Sequence, residues 1–190
     1  PVPPGPPGCD PLFSQVGGGV LEAMGIGFGL RAGDGAARGN CGSVDDHGLI
    51  TDRRAGRIST DLCIRLTDKL RAITVPGVQL FVEPVKDYRF VLALRGKNLS
   101  GRLSETDPQA LGKPPLPVRA LEPEARAAAE AVNAFVSQAR QVLADERPAN
   151  MVLLRGFDQL PELPRFPEVF HLRAAAAAAA VAAGAYAVLA

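Results

Sequence analysis

The seven residues Thr51-Asp52-Arg53-Arg54-Ala55-Gly56-Arg57 carry three guanidiniums and one carboxylate directly after an apolar run. A guanidinium is a planar fork of donors that grips phosphate or carboxylate through two parallel hydrogen bonds, so the natural partner of this segment is an anion. Asp52 is placed to hold one arginine in the required rotamer. In an extended segment Asp52 and Arg54 share a side and Arg53 points away. The alternative for the same residues is a solvated, salt-bridged turn. Upstream, Arg38-Gly39-Asn40 puts Arg38 and Asn40 on one face of a strand, with Gly39 allowing close backbone approach. Paired across a hairpin with Asp52-Arg53-Arg54 it builds one polar surface, and alone it is an edge strand with a polar outer face. Arg89 and Arg95 share parity but lie roughly 20 Å apart along a strand, too far for both to touch one small substrate. Glu105-Thr106-Asp107-Pro108 either orients an arginine or is an Asp-Pro turn.

The missing chemistry narrows the field. The only histidines are His47 and His171, and no carboxylate and histidine grouping has metal-ligand spacing. No Gly-rich loop ends in Lys-Ser or Lys-Thr, and the glycines at 17–19, 25, 27 and 29 do not follow a strand as a dinucleotide fingerprint requires. With 21 Lys+Arg against 20 Asp+Glu, the net charge of +1 lacks the basic excess of a general nucleic-acid binder or a polybasic membrane protein. Cys9, Cys41 and Cys63 are odd in number and widely spaced, which points to the cytoplasm or another reducing compartment.

These residues must be carried by a scaffold, and 190 residues suffice for one ordinary domain or two small ones. Residues 1–19 are a Pro/Gly-rich lead-in with no signal-peptide pattern, and Val20–Met24 forms a short helical turn. Ala36–Val44 and Gly48–Arg54 are expected as strands around the turn Asp45-Asp46-His47-Gly48. Ser59 or Thr60 caps a helix that buries Leu62, Ile64, Leu66, Leu70 and Ile73 and stops before Pro76. Val78–Val82 and Tyr88–Leu94 are strands, the second apolar enough to lie mid-sheet beneath helices. After a polar loop over 96–118, the spacing of Ala127, Ala131, Val132, Phe135, Val136, Ala139, Val142 and Leu143 predicts a helix within 123–146. Met151–Leu154 is a short strand, and residues 161–167 a Pro-punctuated loop. Leu94-Arg95-Gly96 and Leu154-Arg155-Gly156 each put an arginine at the exit of a buried strand. The uncharged segment 174–190 is mostly Ala and Gly, and reads as a close-packed interior segment rather than a membrane span. The fold class is α/β, a mixed sheet of four or five strands flanked by helices.

Taken in order, Gly19-x-Leu21-Glu22-Ala23-Met24-Gly25, Arg38-Gly39-Asn40 and Val44-Asp45-Asp46-x-Gly48-x-Ile50-x-Asp52-Arg53-Arg54-Ala55-Gly56-Arg57-Ile58 resemble the archaeal-type cofactor-independent phosphoglycerate mutase family. The likeness continues through Tyr88–Gly96, Leu99-Ser100, Thr106-Asp107-Pro108, Ala149-Asn150, Leu154-Arg155-Gly156 and Leu172-Arg173-Ala174-Ala175. The resemblance implies a glycolytic isomerase of the alkaline phosphatase superfamily. A core domain holds a phosphorylatable Ser and two divalent metals, manganese or zinc, and an inserted lid closes over phosphoglycerate. This chain corresponds to the lid: residues 1–19 are a remnant of the core, 20–172 the substrate-binding lid and 173–190 the return towards the core. The nucleophile and metal-ligand segments of the family have no counterpart in it, so the chain alone is expected to be inactive and to bind no metal or other cofactor. In this reading Asp52, Arg53, Arg54 and Arg57 clamp the phosphate and carboxylate of the substrate, followed by Arg38, Asn40 and Arg89. Arg95, Arg155 and Asp107 rank behind them, the two arginines because they exit the sheet at another end. Three departures fall inside motifs: Gly18 where the family carries Arg, Tyr88 where His is common, and Glu105 in place of Asp. They motivate the alternative of a catalytically degenerate member serving as a structural subunit with protein partners. Neither nucleic acid nor membrane is expected as a partner.

Overall fold

A computed structural model describes residues 16–97 and 99–160. Cys9, His171, most of the lead-in, the loop over 161–167 and the Ala-rich segment lie outside the described residues. The elements run α1 (Gly18–Gly25), β1 (Gly35–Val44), β2 (Ile50–Asp52), α2 (Thr60–Leu70), β3 (Gln79–Pro84), β4 (Arg89–Arg95), α3 (Arg126–Val142) and β5 (Met151–Gln159), with a 3-10 turn at Pro123–Ala125 leading into α3. Among the described residues the expected α/β arrangement is present as five strands and three α-helices, and all four strand ladders there are antiparallel. No helix among the described residues is long and apolar enough to cross a membrane.

β1 is the centre of the sheet and not an edge. It pairs with β4 along Gly35–Asn40, with β5 along Gly35–Gly42, and with β2 at Ser43 and Val44. β3 lies outside β4. Because side chains alternate, β4 feeds two cores. Phe90, Leu92 and Leu94 pack with Cys63, Leu66 and Leu70 of α2 and with Val132, Phe135 and Ala139 of α3. Val91 packs with Ala36 of β1 and with Val20 and Ala23 of α1. One face of the sheet thus carries α2 and α3 and the other carries α1. Cys41 and Cys63 are buried free thiols of the larger core.

α1 docks almost on the strand itself. A Cβ on Gly19 would stand 2.5 Å from both the carbonyl oxygen and the next Cα of Ala36–Ala37. Those atoms are backbone and have nowhere to move. Gly19→Ala is therefore expected to cost about 1–3 kcal/mol by forcing α1 off the sheet, measured by thermal or urea unfolding. With eight residues α1 is about 12 Å long, whereas the ten residues of β1 span about 33 Å. Ala36 is covered, while Arg38 and Asn40, next on the same face, lie beyond the helix's hydrophobic contact.

Several local expectations are corrected. α2 starts where its signals place it, with the Ser59 hydroxyl accepting from the Leu62 N–H and Asp61 in the first turn. Ile64, however, is exposed, since at 100° per residue it lies about 160° from the middle of the Leu62–Leu66–Leu70 stripe. Ala127 and Val142 of α3 are likewise exposed. β2 is shorter than Gly48–Arg54, because the Asp52 carboxylate accepts from the N–H groups of Arg54 and Gly56, both at 2.7 Å, and turns the chain. β5 is longer than Met151–Leu154. It continues to Gln159 through a bulge in which Gly156, at φ +61°, and Phe157 oppose Ala37 alone.

Candidate functional site: an arginine cleft on the α1 face

The polar remainder of the α1 face becomes a cleft because the register sets its residues side by side. Arg38 faces Arg155 across β1 and β5, and Asn40 faces Arg89 across β1 and β4. The unbroken register from Gly42–Met151 to Arg38–Arg155 puts Arg155 in the cleft, and the strand continues past it through the bulge at Gly156, so Arg155 does not stand at a strand exit. Arg53 and Arg54 enter from the turn after β2, and Tyr88 from the residue before β4. The resulting cleft of about 350 Å³ is completed by Gly18 and Glu22 of α1, Glu105, and Gly156.

Each arginine has its own support. Arg53 makes a bidentate pair with Asp107, Nε to Oδ1 at 2.8 Å and Nη2 to Oδ2 at 2.6 Å. The Asp107 side chain is fully buried, and its Oδ1 also accepts the Gln109 N–H. Arg155 donates from Nε to Glu105 at 3.1 Å and stands 4.0 Å from Asp107. Arg54 lies over the Tyr88 ring at 5.9 Å. Arg38 donates from Nε to the Gly18 carbonyl at 3.1 Å and meets Glu22 at 3.3 Å. Arg89 meets the other oxygen of Glu22 at 3.4 Å. Five guanidiniums therefore converge on the cleft against the carboxylates of Glu22 and Glu105 and that of Asp107 behind them.

Glu105 and Asp107 are held by the residue between them. Along the outer edge of β5, the Thr106 N–H donates to the Leu154 carbonyl at 2.9 Å and its hydroxyl accepts the Leu154 N–H at 2.7 Å. Thr106→Val keeps the shape but leaves that buried N–H without an acceptor. It is expected to cost about 1–3 kcal/mol in chemical denaturation and to loosen both carboxylates.

Burial alone would raise the Asp107 carboxyl, but the Arg53 hydrogen bonds, the Gln109 N–H and the charge of Arg155 hold it below its ordinary value. Asp34 behaves alike: burial raises it, and the Arg95 and Arg31 contacts outweigh that. A depressed carboxyl contributes stability that is fully present above the unfolded-state value of about 3.9 and is lost as pH falls through the folded-state value. The melting temperature is therefore expected to fall as pH drops below about 4, with Asp107→Asn flattening that acid limb. Glu22 has the opposite sign. Its burial pushes the carboxyl up against the pull of Arg89 and Arg38, so its contribution is present at low pH and lost as the group ionises.

Of the residues singled out in the sequence, Arg38, Asn40, Arg53, Arg54 and Arg89 meet in the cleft, and Arg155 joins them despite its lower rank. Asp107 holds Arg53 from behind. Asp52 orients no arginine side chain; it shapes the turn through backbone N–H groups. The turn also overturns the expected opposition of Arg53 and Arg54, both of which reach the cleft. Arg57, at φ +56°, is exposed and does not line it. Arg95 sits at the other end of β4, paired with Asp34 at 2.5 Å and stacked over Phe81 at 5.0 Å. Gly39 serves packing, since a Cβ there would stand 2.2 Å from the Phe90 ring. Glu22 carried no sequence signal of a site role. Gly18, where the family resemblance would place an Arg, lines the cleft: a Cβ on it would fall 2.5 Å from the Arg38 guanidinium carbon, so Arg38 occupies room a side chain at 18 would need.

A family model described as 2,3-bisphosphoglycerate-independent phosphoglycerate mutase matches residues 8–150. The chain belongs to this family. An Aquifex aeolicus protein named "Probable 2,3-bisphosphoglycerate-independent phosphoglycerate mutase" is 37% identical over 175 residues, covering 87% of this chain and 43% of its own length. A Thermus thermophilus protein of the same name is 39% identical over 171 residues, 89% of this chain and 42% of its own. The solved cofactor-independent phosphoglycerate mutase from Thermoplasma acidophilum superposes with a TM-score of 0.74 at 32% identity, over 85% of this chain and 46% of that one. The chain thus spans less than half the length of these phosphoglycerate mutase relatives.

Among the described residues no group of three or more His, Cys, Asp or Glu could hold a metal ion. The cleft's own carboxylates are committed to arginines. This donor set does not fit the two divalent metals that the family resemblance implies.

Proposed function

We propose that this chain is the substrate-binding lid of a phosphoglycerate mutase that interconverts 3- and 2-phosphoglycerate. The observation that carries the reading is the convergence of five guanidiniums on one cleft whose carboxylates offset only part of their charge. Such a cleft has room for a small ligand with an anionic group at each end, as phosphoglycerate has. Arg53 and Arg155, held by Asp107 and Glu105, are preorganised donors on one wall. Arg38 and Arg89 supply the floor, and Asn40 between them offers a neutral donor for a hydroxyl or carboxylate oxygen. Arg54 over Tyr88 completes the rim. Phosphoryl transfer depends largely on alignment and charge stabilisation, which a lid of this kind supplies while displacing water. The nucleophile and the metals belong to the core of the whole protein in this reading, and the lid makes and breaks no bond.

Titration calorimetry of 3-phosphoglycerate into the 190-residue chain tests this. Saturable one-to-one binding is expected, weakened steeply by salt, with glycerate, which lacks the phosphate, far weaker. Absence of binding, or equal affinity for glycerate, would overturn the reading and favour the structural-subunit alternative.

A further inference from the structure

Glu22 is costly where it stands. Its side chain is only 9% exposed, and its burial outweighs the pull of two arginines on its carboxyl, so stability gives no reason to keep it charged there. Nor is it needed to dock α1, which already packs through Gly19, Val20 and Ala23. What it touches is specific. Arg38 and Arg89 are diagonal neighbours on adjacent strands, about 7–8 Å apart at the backbone, and two unscreened guanidiniums at that spacing repel. One carboxylate oxygen lies 3.3 Å from Arg38 and the other 3.4 Å from Arg89. These contacts are longer than the bidentate Arg53–Asp107 pair. Arg38 donates its single Nε–H to the Gly18 carbonyl, its closest approach to Glu22 is also at Nε, and its side chain lines the cleft.

We propose that Glu22 is a positioning residue of the cleft: its two carboxylate oxygens offset the repulsion between Arg38 and Arg89 and fix each as a separate donor to one bound anion. The inference rests on the reading of the cleft as an anion site. It deepens that reading by assigning a negative residue a favourable role in binding a negative ligand.

That role has a sign that charge alone cannot produce. Glu22→Gln removes a negative charge from a positive cleft, so Coulomb attraction by itself predicts tighter anion binding. Positioning predicts weaker binding: an affinity loss of about 10-fold for inorganic phosphate and for 3-phosphoglycerate, by calorimetry at fixed ionic strength. In the cycle with Arg89→Met, Glu22→Gln is expected to cost less affinity in the Arg89→Met background than in the wild-type chain, because one of the two arginines through which Glu22 acts is then gone. Equal or tighter binding by Glu22→Gln, or losses that multiply in the cycle, would overturn the proposal. Should Glu22→Gln fail to melt cooperatively, Glu22→Asp takes its place. It keeps the charge but cannot span both arginines, and unchanged affinity there overturns the proposal equally. A wild-type chain that binds phosphate but not 3-phosphoglycerate removes the mutase reading and leaves the Glu22 comparison intact; one that binds neither removes both.

Discussion

Replacing Asp107 by asparagine is expected to lower the unfolding free energy at pH 7 by roughly 3 kcal/mol and to weaken 3-phosphoglycerate binding at the same time. The carboxylate is fully buried on its side-chain atoms, whereas Arg53 keeps about a quarter of its side chain exposed, at 27%. Three N–H groups converge on it, two from Arg53 and one from Gln109. An asparagine in the same place still accepts the Gln109 N–H. Its amide nitrogen, however, then faces the Arg53 guanidinium, donor against donor, and the charge of Arg53 loses its partner. Arg53 consequently swings towards solvent and no longer presents a fixed fork to the cleft. Urea unfolding at pH 7 gives the first quantity and calorimetry the second. A stability loss below about 1 kcal/mol would show that the pair behaves as an exposed one. The same variant also separates this carboxyl from Asp34 in acid, because the acid loss due to Asp107 is then gone while that due to Asp34 remains.

The parts of the fold that the sequence announces are those fixed by neighbours along the chain. Ser59 caps α2 through a hydrogen bond three residues away, and the apolar run over Phe90–Leu94 places β4 mid-sheet without reference to anything distant. The Asp45–Gly48 turn is likewise local, with the Asp45 carboxylate accepting the N–H groups of His47 and Leu49. The site is different because its decisive contacts span large separations. Arg53 and Asp107 are 54 residues apart, and Arg155 and Glu105 are 50. In sequence Arg155 ranks behind the other arginines, since a Leu-Arg-Gly string reads as a strand exit. Only pairing with β1 shows it to be opposite Arg38, and only the bulge after it, at Gly156, carries the strand on so that it is mid-strand. Arg57 misled in the opposite direction: it stands in the densest basic run, but the chain turns left-handed at Ala55, Gly56 and Arg57 and leaves it outside the cleft. Glu22 was invisible for a further reason. A glutamate on a short helix means solvent until the helix is seen to lie on β1 at backbone contact.

The contrast between Arg155 and Arg57 gives the second large effect. Arg155→Ala is expected to weaken 3-phosphoglycerate binding by about 10- to 100-fold, the loss of one or two charge-assisted hydrogen bonds worth about 1.5–3 kcal/mol. Arg57→Ala and Arg95→Ala are expected to leave the affinity within about twofold at physiological salt, where charges beyond about 8 Å are largely screened. All three substitutions remove one positive charge, so a binding mode governed by net charge alone would weaken equally in each. Stability distinguishes them in another way. Arg95→Ala strands the buried Asp34 carboxylate, which accepts from both Nε and Nη2 of Arg95, and should lower the melting temperature without touching the ligand. Arg155→Ala relieves the opposition of two guanidiniums across β1 and β5 while freeing Glu105, whose other oxygen still accepts the Gly156 N–H. Its melting temperature should therefore change little. Affinity lost at 155 with stability kept, and stability lost at 95 with affinity kept, is the pattern that a cleft built on the α1 face requires. The reverse pattern would place the anion at the Asp34 end of β4.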